Sequence, residues 1–128
     1  MRVTIERPTV HSDPRGIVFD PLPGNDLPAQ RNVHMVLTEP GAVRGNHYHM
    51  RGTEVLAGAG PLLIRLRDGE ERMELNIYAG EVIRLTIPAG VAHAIKNVGD
   101  KPSAIVSFST EPYDSEKPDV VREVLIEA

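Results

Sequence analysis

The chain contains no cysteine and no tryptophan, and only 3 Tyr and 2 Phe among its 128 residues. Without cysteine there is no disulfide, no thiolate nucleophile and no Cys-ligated zinc or iron–sulfur centre. An aromatic content of 4% leaves little material for a stacking platform under a nucleotide base or sugar ring, which weighs against a nucleotide-sugar substrate. A basic excess is missing too. Lys and Arg number 14 against 18 Asp and Glu, a net charge of −4, the wrong sign for a protein whose main partner is nucleic acid. No stretch reads as a helix-turn-helix. The longest run free of charged and strongly polar side chains, Val55–Ile64, is ten residues long and holds two Gly and a Pro. That is about half of what a membrane-crossing helix needs. The opening Met1–Pro8 has no apolar stretch of signal-peptide length. These absences predict a soluble, cytoplasmic protein that works on a small molecule, with neither nucleic acid nor membrane as partner.

What is present reads as one β domain over residues 1–128. Hydrophobic content of 41% and charged content of 25% suit a folded globule, and a chain of this size hides roughly two-thirds of its unfolded surface. The 11 Gly and 11 Pro are spread along the chain as turn punctuation. Between them run short segments of two-residue alternation. Val33, Met35 and Leu37 oppose His34 and Val36; Met73, Leu75 and Ile77 oppose Glu74, Asn76 and Tyr78; Ile83, Leu85 and Ile87 oppose Val82, Arg84 and Thr86; Val106 and Phe108 continue the pattern. Period two places alternate side chains on opposite faces of a sheet. Arg67-Asp68-Gly69-Glu70 and Asn97–Pro102 each separate two such runs and fit hairpin turns. Many short strands with such turns predict a sandwich or barrel. No helical pattern of ten residues or more is visible. Asp20–Asn32 and Glu111–Asp119 read as loops, and Asp119–Glu127 as a strand or a short terminal helix.

The chemistry concentrates in the histidines. His47-Tyr48-His49 sits in Gly41–Glu54. On an extended strand the two imidazoles of His-x-His share a face, with Cβ atoms roughly 6–7 Å apart, near enough to grip one ion. Simple alternation puts Glu54 on the other face, so Gly52 is expected to supply a turn or bulge that resets the phase. In Gly80–Asn97 a strand ends at Pro88-Ala89-Gly90 and His93 opens the next. Three imidazoles and a carboxylate form an N3O set for one divalent metal ion, Zn, Fe, Mn, Ni or Cu, with positions left for water or substrate.

Gly41, His47, His49, Glu54 and Gly58 or Gly60, followed by Gly80, Pro88, Gly90, His93 and Asn97, resemble the two signature motifs of the cupin superfamily. The resemblance spans about Asn32–Thr110. It implies a small antiparallel β-barrel or jelly roll, a homodimer, and a metal held by His47, His49, Glu54 and His93, with Asn97 structural. Gly45–His49 and the tail Glu111–Asp119 are similar to the C-terminal cupin domain of bifunctional capsule-sugar reductases, which implies a zinc-dependent epimerisation. Asp13-Pro14-Arg15-Gly16 and the Arg44-Gly45-x-His pattern resemble the nucleotide-sugar ketoisomerases and epimerases. Those enzymes generally lack the third histidine, so His93 sets this chain apart.

A metal in such a barrel polarises a carbonyl and eases removal of the proton beside it. The expected activity is therefore a metal-dependent isomerase or epimerase on a sugar or related carbonyl compound. Groups to take and return the proton are His34, Tyr48 and Tyr113, with Tyr78 a further candidate. His34 is read more readily as facing solvent or an interface than as lining the barrel. Arg44 and Arg84 are the candidates to hold an anionic substrate, whereas Arg51 reads as solvated. The same ligands also suit a metal-dependent dioxygenase or a non-catalytic small-ligand module.

Overall fold

The structure, a computed structural model, describes residues 1–128. The strands are β1 (Thr4–Glu6), β2 (His11–Asp13), β3 (Gly16–Val18), β4 (Asn32–Thr38), β5 (Val43–His49), β6 (Glu54–Ala59), β7 (Leu62–Asp68), β8 (Glu71–Ile77), β9 (Val82–Ile87), β10 (Ala92–Asn97), β11 (Ser103–Ser109) and β12 (Val120–Arg122). They form two five-stranded antiparallel sheets, β1-β9-β6-β11-β4 and β12-β5-β10-β7-β8, while β2 and β3 pair as an outlying ribbon. The expected all-β antiparallel fold is the one observed, and within Asp119–Glu127 the residues Val120–Arg122 form a strand rather than a helix. Within Asp20–Asn32, expected as plain loop, Gly24–Ala29 winds into a 3-10 helix. No helix is long and apolar enough to cross a membrane.

Side-chain alternation builds the interior. Leu62, Ile64 and Leu66 from β7, Ile83, Leu85 and Ile87 from β9, and Leu56, Ile77, Ile95 and Ile105 from four other strands form one buried cluster with Val91. Full burial of each such side chain is worth roughly 1.5–3 kcal/mol. One expected hairpin is confirmed. Asp68 pairs with Glu71 across a two-residue turn, and Gly69 there takes the positive φ (+61°) such turns demand. The other is corrected. Asn97–Pro102 joins β10 of one sheet to β11 of the other, so it crosses between layers instead of closing a hairpin. Buried Asn97 holds that crossing, donating from Nδ2 to the carbonyls of Thr38 and Lys101 while Oδ1 accepts from Gly99 N–H. This matches its expected structural role.

Edge strand β4 reverses the usual pattern. Its apolar members Val33, Met35 and Leu37 face outward and are 58%, 62% and 66% exposed. His34 lies on the opposite, cavity-lining face with Val36. His34 is nonetheless exposed, as its reading as a solvent-facing residue expects, and it borders the cavity as well.

Candidate metal centre

One local irregularity assembles the centre. Between His47 and Gly45 the β5–β10 register shifts: His93 pairs with His47 and Ala94 with Gly45, leaving Asn46 as the extra residue of a bulge. Gly45 and Asn46 both take positive φ, +83° and +56°. Gly45 cannot carry a side chain, since a Cβ there would stand 2.7 Å from the His93 carbonyl oxygen. Buried Asn46 meets the strain with three hydrogen bonds. Its Oδ1 accepts from Leu125 and Ile126 N–H, and its Nδ2 donates to the Ile126 carbonyl. The bulge does two things. It brings the His93 backbone against β5, and it turns Arg44, which pairs with Ile95, onto the same side as His47.

The three imidazoles then face one another. Ring centroids are 4.8 Å apart for His47–His93, 5.1 Å for His47–His49 and 5.6 Å for His49–His93. Glu54 comes from β6 in the facing sheet. Its inward aim arises because the chain turns at Met50–Thr53, the turn expected at Gly52, and in doing so passes to the other sheet. Glu54 Oε1 lies 3.0 Å from His93 Nε2 and Oε2 lies 3.3 Å from His49 Nε2. Donor atoms of all four residues lie within 4.8 Å of one another.

Neighbouring groups orient these donors. His93 Nδ1 is 3.2 Å from the Val91 carbonyl, a contact that places its proton there and frees Nε2 for the cluster. Ser107 Oγ donates to Glu54 Oε2 at 2.9 Å. His49 Nε2 is buried with no hydrogen-bond partner, although Glu54 is close. A buried ring nitrogen left in this way, among two further imidazoles and a carboxylate, fits a divalent cation of borderline softness. Electrostatics agree. Burial, and then the charge of His93, push the His47 imidazole down to about 4, so it stays neutral and able to ligate. Burial pushes the Glu54 carboxyl up, but the close His49 and His93 imidazoles outweigh it and hold the group below the usual carboxylate range. Burial lowers His49, yet Glu54 and Asp119 reverse the sign and raise it.

Residues 11–121 match the polysaccharide biosynthesis C-terminal domain family. The chain belongs to that family. Among curated relatives, the spore coat polysaccharide biosynthesis protein SpsL of Bacillus subtilis is 28% identical, over 94% of this chain and 86% of SpsL. The probable low-salt glycan biosynthesis epimerase Agl13 of Haloferax volcanii is 34% identical, over 67% of this chain and 61% of Agl13. Among solved structures, the sugar 3,4-ketoisomerase QdtA of Thermoanaerobacterium thermosaccharolyticum superposes with a TM-score of 0.72 at 21% identity, covering 94% of this chain and 88% of QdtA. The capsular polysaccharide assembling protein CapF of Staphylococcus aureus gives a TM-score of 0.66 at 26% identity, covering 91% of this chain but only 34% of CapF. The fold is thus shared with QdtA along nearly the whole chain and with about a third of CapF.

The structure brings some of the expected residues together and leaves others apart. His47, His49, Glu54 and His93 meet as expected. His34 lines the cavity beside His47 and Glu54, with Asn32 Nδ2 3.3 Å from its Nδ1. Arg44 reaches the same cavity and donates to the Leu37 carbonyl at 3.0 Å. Tyr113 is 82% exposed and lines a second space of about 200 Å3 between the histidines and the segment Glu111–Asp119. Tyr48 is not brought to the site. It sits between the two β5 histidines, so alternation turns it to the other face, beside Arg67. Arg84 is not brought there either. It pairs with Glu6 and donates to the Asp20 carbonyl, tying β1 and the Asp20 loop to β9. Tyr78 lies at the β8–β9 turn, where its backbone N–H donates to Glu81. Sequence reasoning missed Ser107 and Asp119. Ser107 had a signal, being a polar residue on the inward period of β11, between Val106 and Phe108. Asp119 had none, because only the fold brings the tail to β5.

Proposed function

We propose that this protein is a metal-dependent isomerase or epimerase that moves a proton next to a carbonyl of a sugar used in glycan assembly. The observation that carries the reading is the convergence of His47, His49, Glu54 and His93 within 4.8 Å, three of them lining one cavity. Its support from relatives is the glycan and polysaccharide roles named for SpsL and Agl13 and the epimerase activity named for the latter. When bound, a divalent ion supplies Lewis acidity to a substrate carbonyl. The chain's own residues do the rest. His47, His49, Glu54 and His93 hold the ion, and Leu56, Ile95 and Ile105 wall the cavity with hydrocarbon and keep water from the reacting carbon. His34 is the proton-transfer group: it shares this cavity with the ligands, and the Asn32 amide at Nδ1 leaves the proton on Nε2. Tyr113, on the rim, is the second candidate. Arg44 holds the anionic part of the substrate.

The decisive experiment combines elemental analysis of purified protein with heavy-water exchange on a panel of keto sugars, free and nucleotide-linked. The reading expects one equivalent of divalent metal and solvent deuterium at the carbon beside the carbonyl, lost on chelation and restored on reloading. Full metal occupancy in a His47→Ala/His49→Ala variant overturns the ligand assignment. Oxygen uptake without deuterium exchange overturns the reaction class in favour of a dioxygenase.

The protein works as a homodimer in this reading, and the occupant of the outward face of β4 is a second copy. Val33, Met35 and Leu37 stand in register with Phe108, Val106 and Ala104 of β11, a strip without charge on the outer side of an edge strand. An uncharged strip offers nothing to a charged partner, and a two-fold axis pairs such a strip with itself. Light scattering should give twice the chain mass for the parent protein and a monomer for Met35→Glu.

A further inference from the structure

We propose that Asp119 is the positioning residue of the metal centre, setting the ring orientation and tautomer of His49 from outside the ligand set. This rests on the metal-dependent reading above. Asp119 Oδ2 lies 3.3 Å from His49 Nδ1, on the side of the ring away from Glu54. Both side chains are largely enclosed, at 11% and 12% exposure. A ligating imidazole that presents Nε2 to an ion has an N–H at Nδ1 to place, and a fixed carboxylate is the acceptor that holds it best.

Asp119 is itself held rigidly. Its Oδ1 accepts Arg51 N–H at 2.8 Å, its Oδ2 accepts Gly52 N–H at 3.1 Å, and its carbonyl accepts Met50 N–H at 2.7 Å. Those three amides belong to the turn that carries the chain from β5 to Glu54. The turn packs closely here: a Cβ at Gly52 would stand 3.0 Å from Asp119 Oδ2. On the other side Val120, the next residue, pairs with His49 in the β12–β5 ladder. One carboxylate therefore touches a ligand directly and fixes the turn that delivers another. The surrounding charges are Arg51, 3.5 Å from Oδ1, and Glu111, which Arg51 also approaches at 3.9 Å.

The test uses the full chain and three variants. Zinc affinity is measured by competition with a chromophoric chelator, and the His49 ring nitrogens are followed by 15N NMR. Asp119→Ala and Asp119→Asn are expected to weaken zinc binding about 10- to 100-fold. Asp119→Asn retains an acceptor for the Arg51 amide but turns an NH2 group toward the ring, so the His49 signal should change from Nδ1–H to Nε2–H. Arg51→Ala loosens the tail, which Arg51 also grips through the Lys117 carbonyl, without removing the contact to His49. Its zinc affinity should stay within about 2-fold of the parent. An Arg51→Ala loss equal to that of Asp119→Ala would show general loosening and overturn the proposal. Unchanged affinity and an unchanged His49 tautomer in both Asp119 variants would overturn it as well. If the parent chain binds no zinc, the metal reading fails separately, and the positioning role is decided on the metal-free protein: an Nδ1 without a proton there would refute it.

Discussion

Gly45 shows how much a single position can decide. Its φ of +83° lies in the left-handed region, and the space where a Cβ would stand is filled by the His93 carbonyl oxygen. Gly45→Ala therefore meets backbone strain and a backbone clash at once, which together cost about 2–4 kcal/mol. The expected result is a lower melting temperature together with weakened metal binding, because relief of the clash pushes β10 and His93 away from His47. Thermal melts and a metal titration on the same sample check this. Two other residues separate role from proximity in sequence. His34→Ala should lower turnover about 100- to 10,000-fold, the usual worth of a positioned acid or base, with metal content unchanged. Tyr48→Phe should leave turnover unchanged, since Tyr48 lies on the far face beside Arg67. Steady-state kinetics on the two variants would reject the assignment of His34 if Tyr48→Phe were the more damaging.

Among the elements, the strands were the most legible in the sequence and the crossings the least. Period-two patterns in Ile83–Ile87 and Met73–Ile77 marked β9 and β8 correctly because one face of each is packed on the core. The His-x-His spacing placed two donors on one face for the same geometric reason. Local pattern does not say which sheet the next strand joins, however. Hence Asn97–Pro102 reads as a hairpin, and the turn expected at Gly52 carries no sign that it passes from one sheet to the other. The bulge at Gly45–Asn46 was equally hidden, since its partners Leu125 and Ile126 lie at the far end of the chain. Without it Arg44 would point away from the cavity. Asn46→Ala, which removes three hydrogen bonds to the backbone of half-buried Leu125 and buried Ile126 at once, should cost about 2–4 kcal/mol. Hydrogen exchange should show the loss first at Leu125 and Ile126.

The whole molecule is two sheets with ionisable groups clamped between them, which makes its stability depend on pH in a definite direction. In the metal-free protein His47 titrates at about 4 rather than its ordinary 6.5. The unfolded chain then takes up the proton first, so the contribution of His47 is complete above 6.5 and is lost as pH falls toward 4. Glu54, held below its ordinary range, adds a loss at still lower pH. His49 has the opposite sign: raised in the fold, it stabilises at acidic pH, and its contribution fades as pH rises through its folded value. Melting temperature should therefore fall on acidification through the weakly acid range, and His47→Gln should flatten that limb. A steep limb that persists in the variant would assign it elsewhere. Metal should raise the melting temperature, since an ion bound only by the folded state stabilises it by mass action.

The donors lie far apart along the chain, and that spacing bears on assembly. His47, His49 and Glu54 are gathered within β5 and β6, whereas His93 and the β12 residues that brace His49 are supplied by segments much further along. An ion meeting a partly folded chain would find an incomplete grip, so a full-strength site would exist only once both sheets have closed.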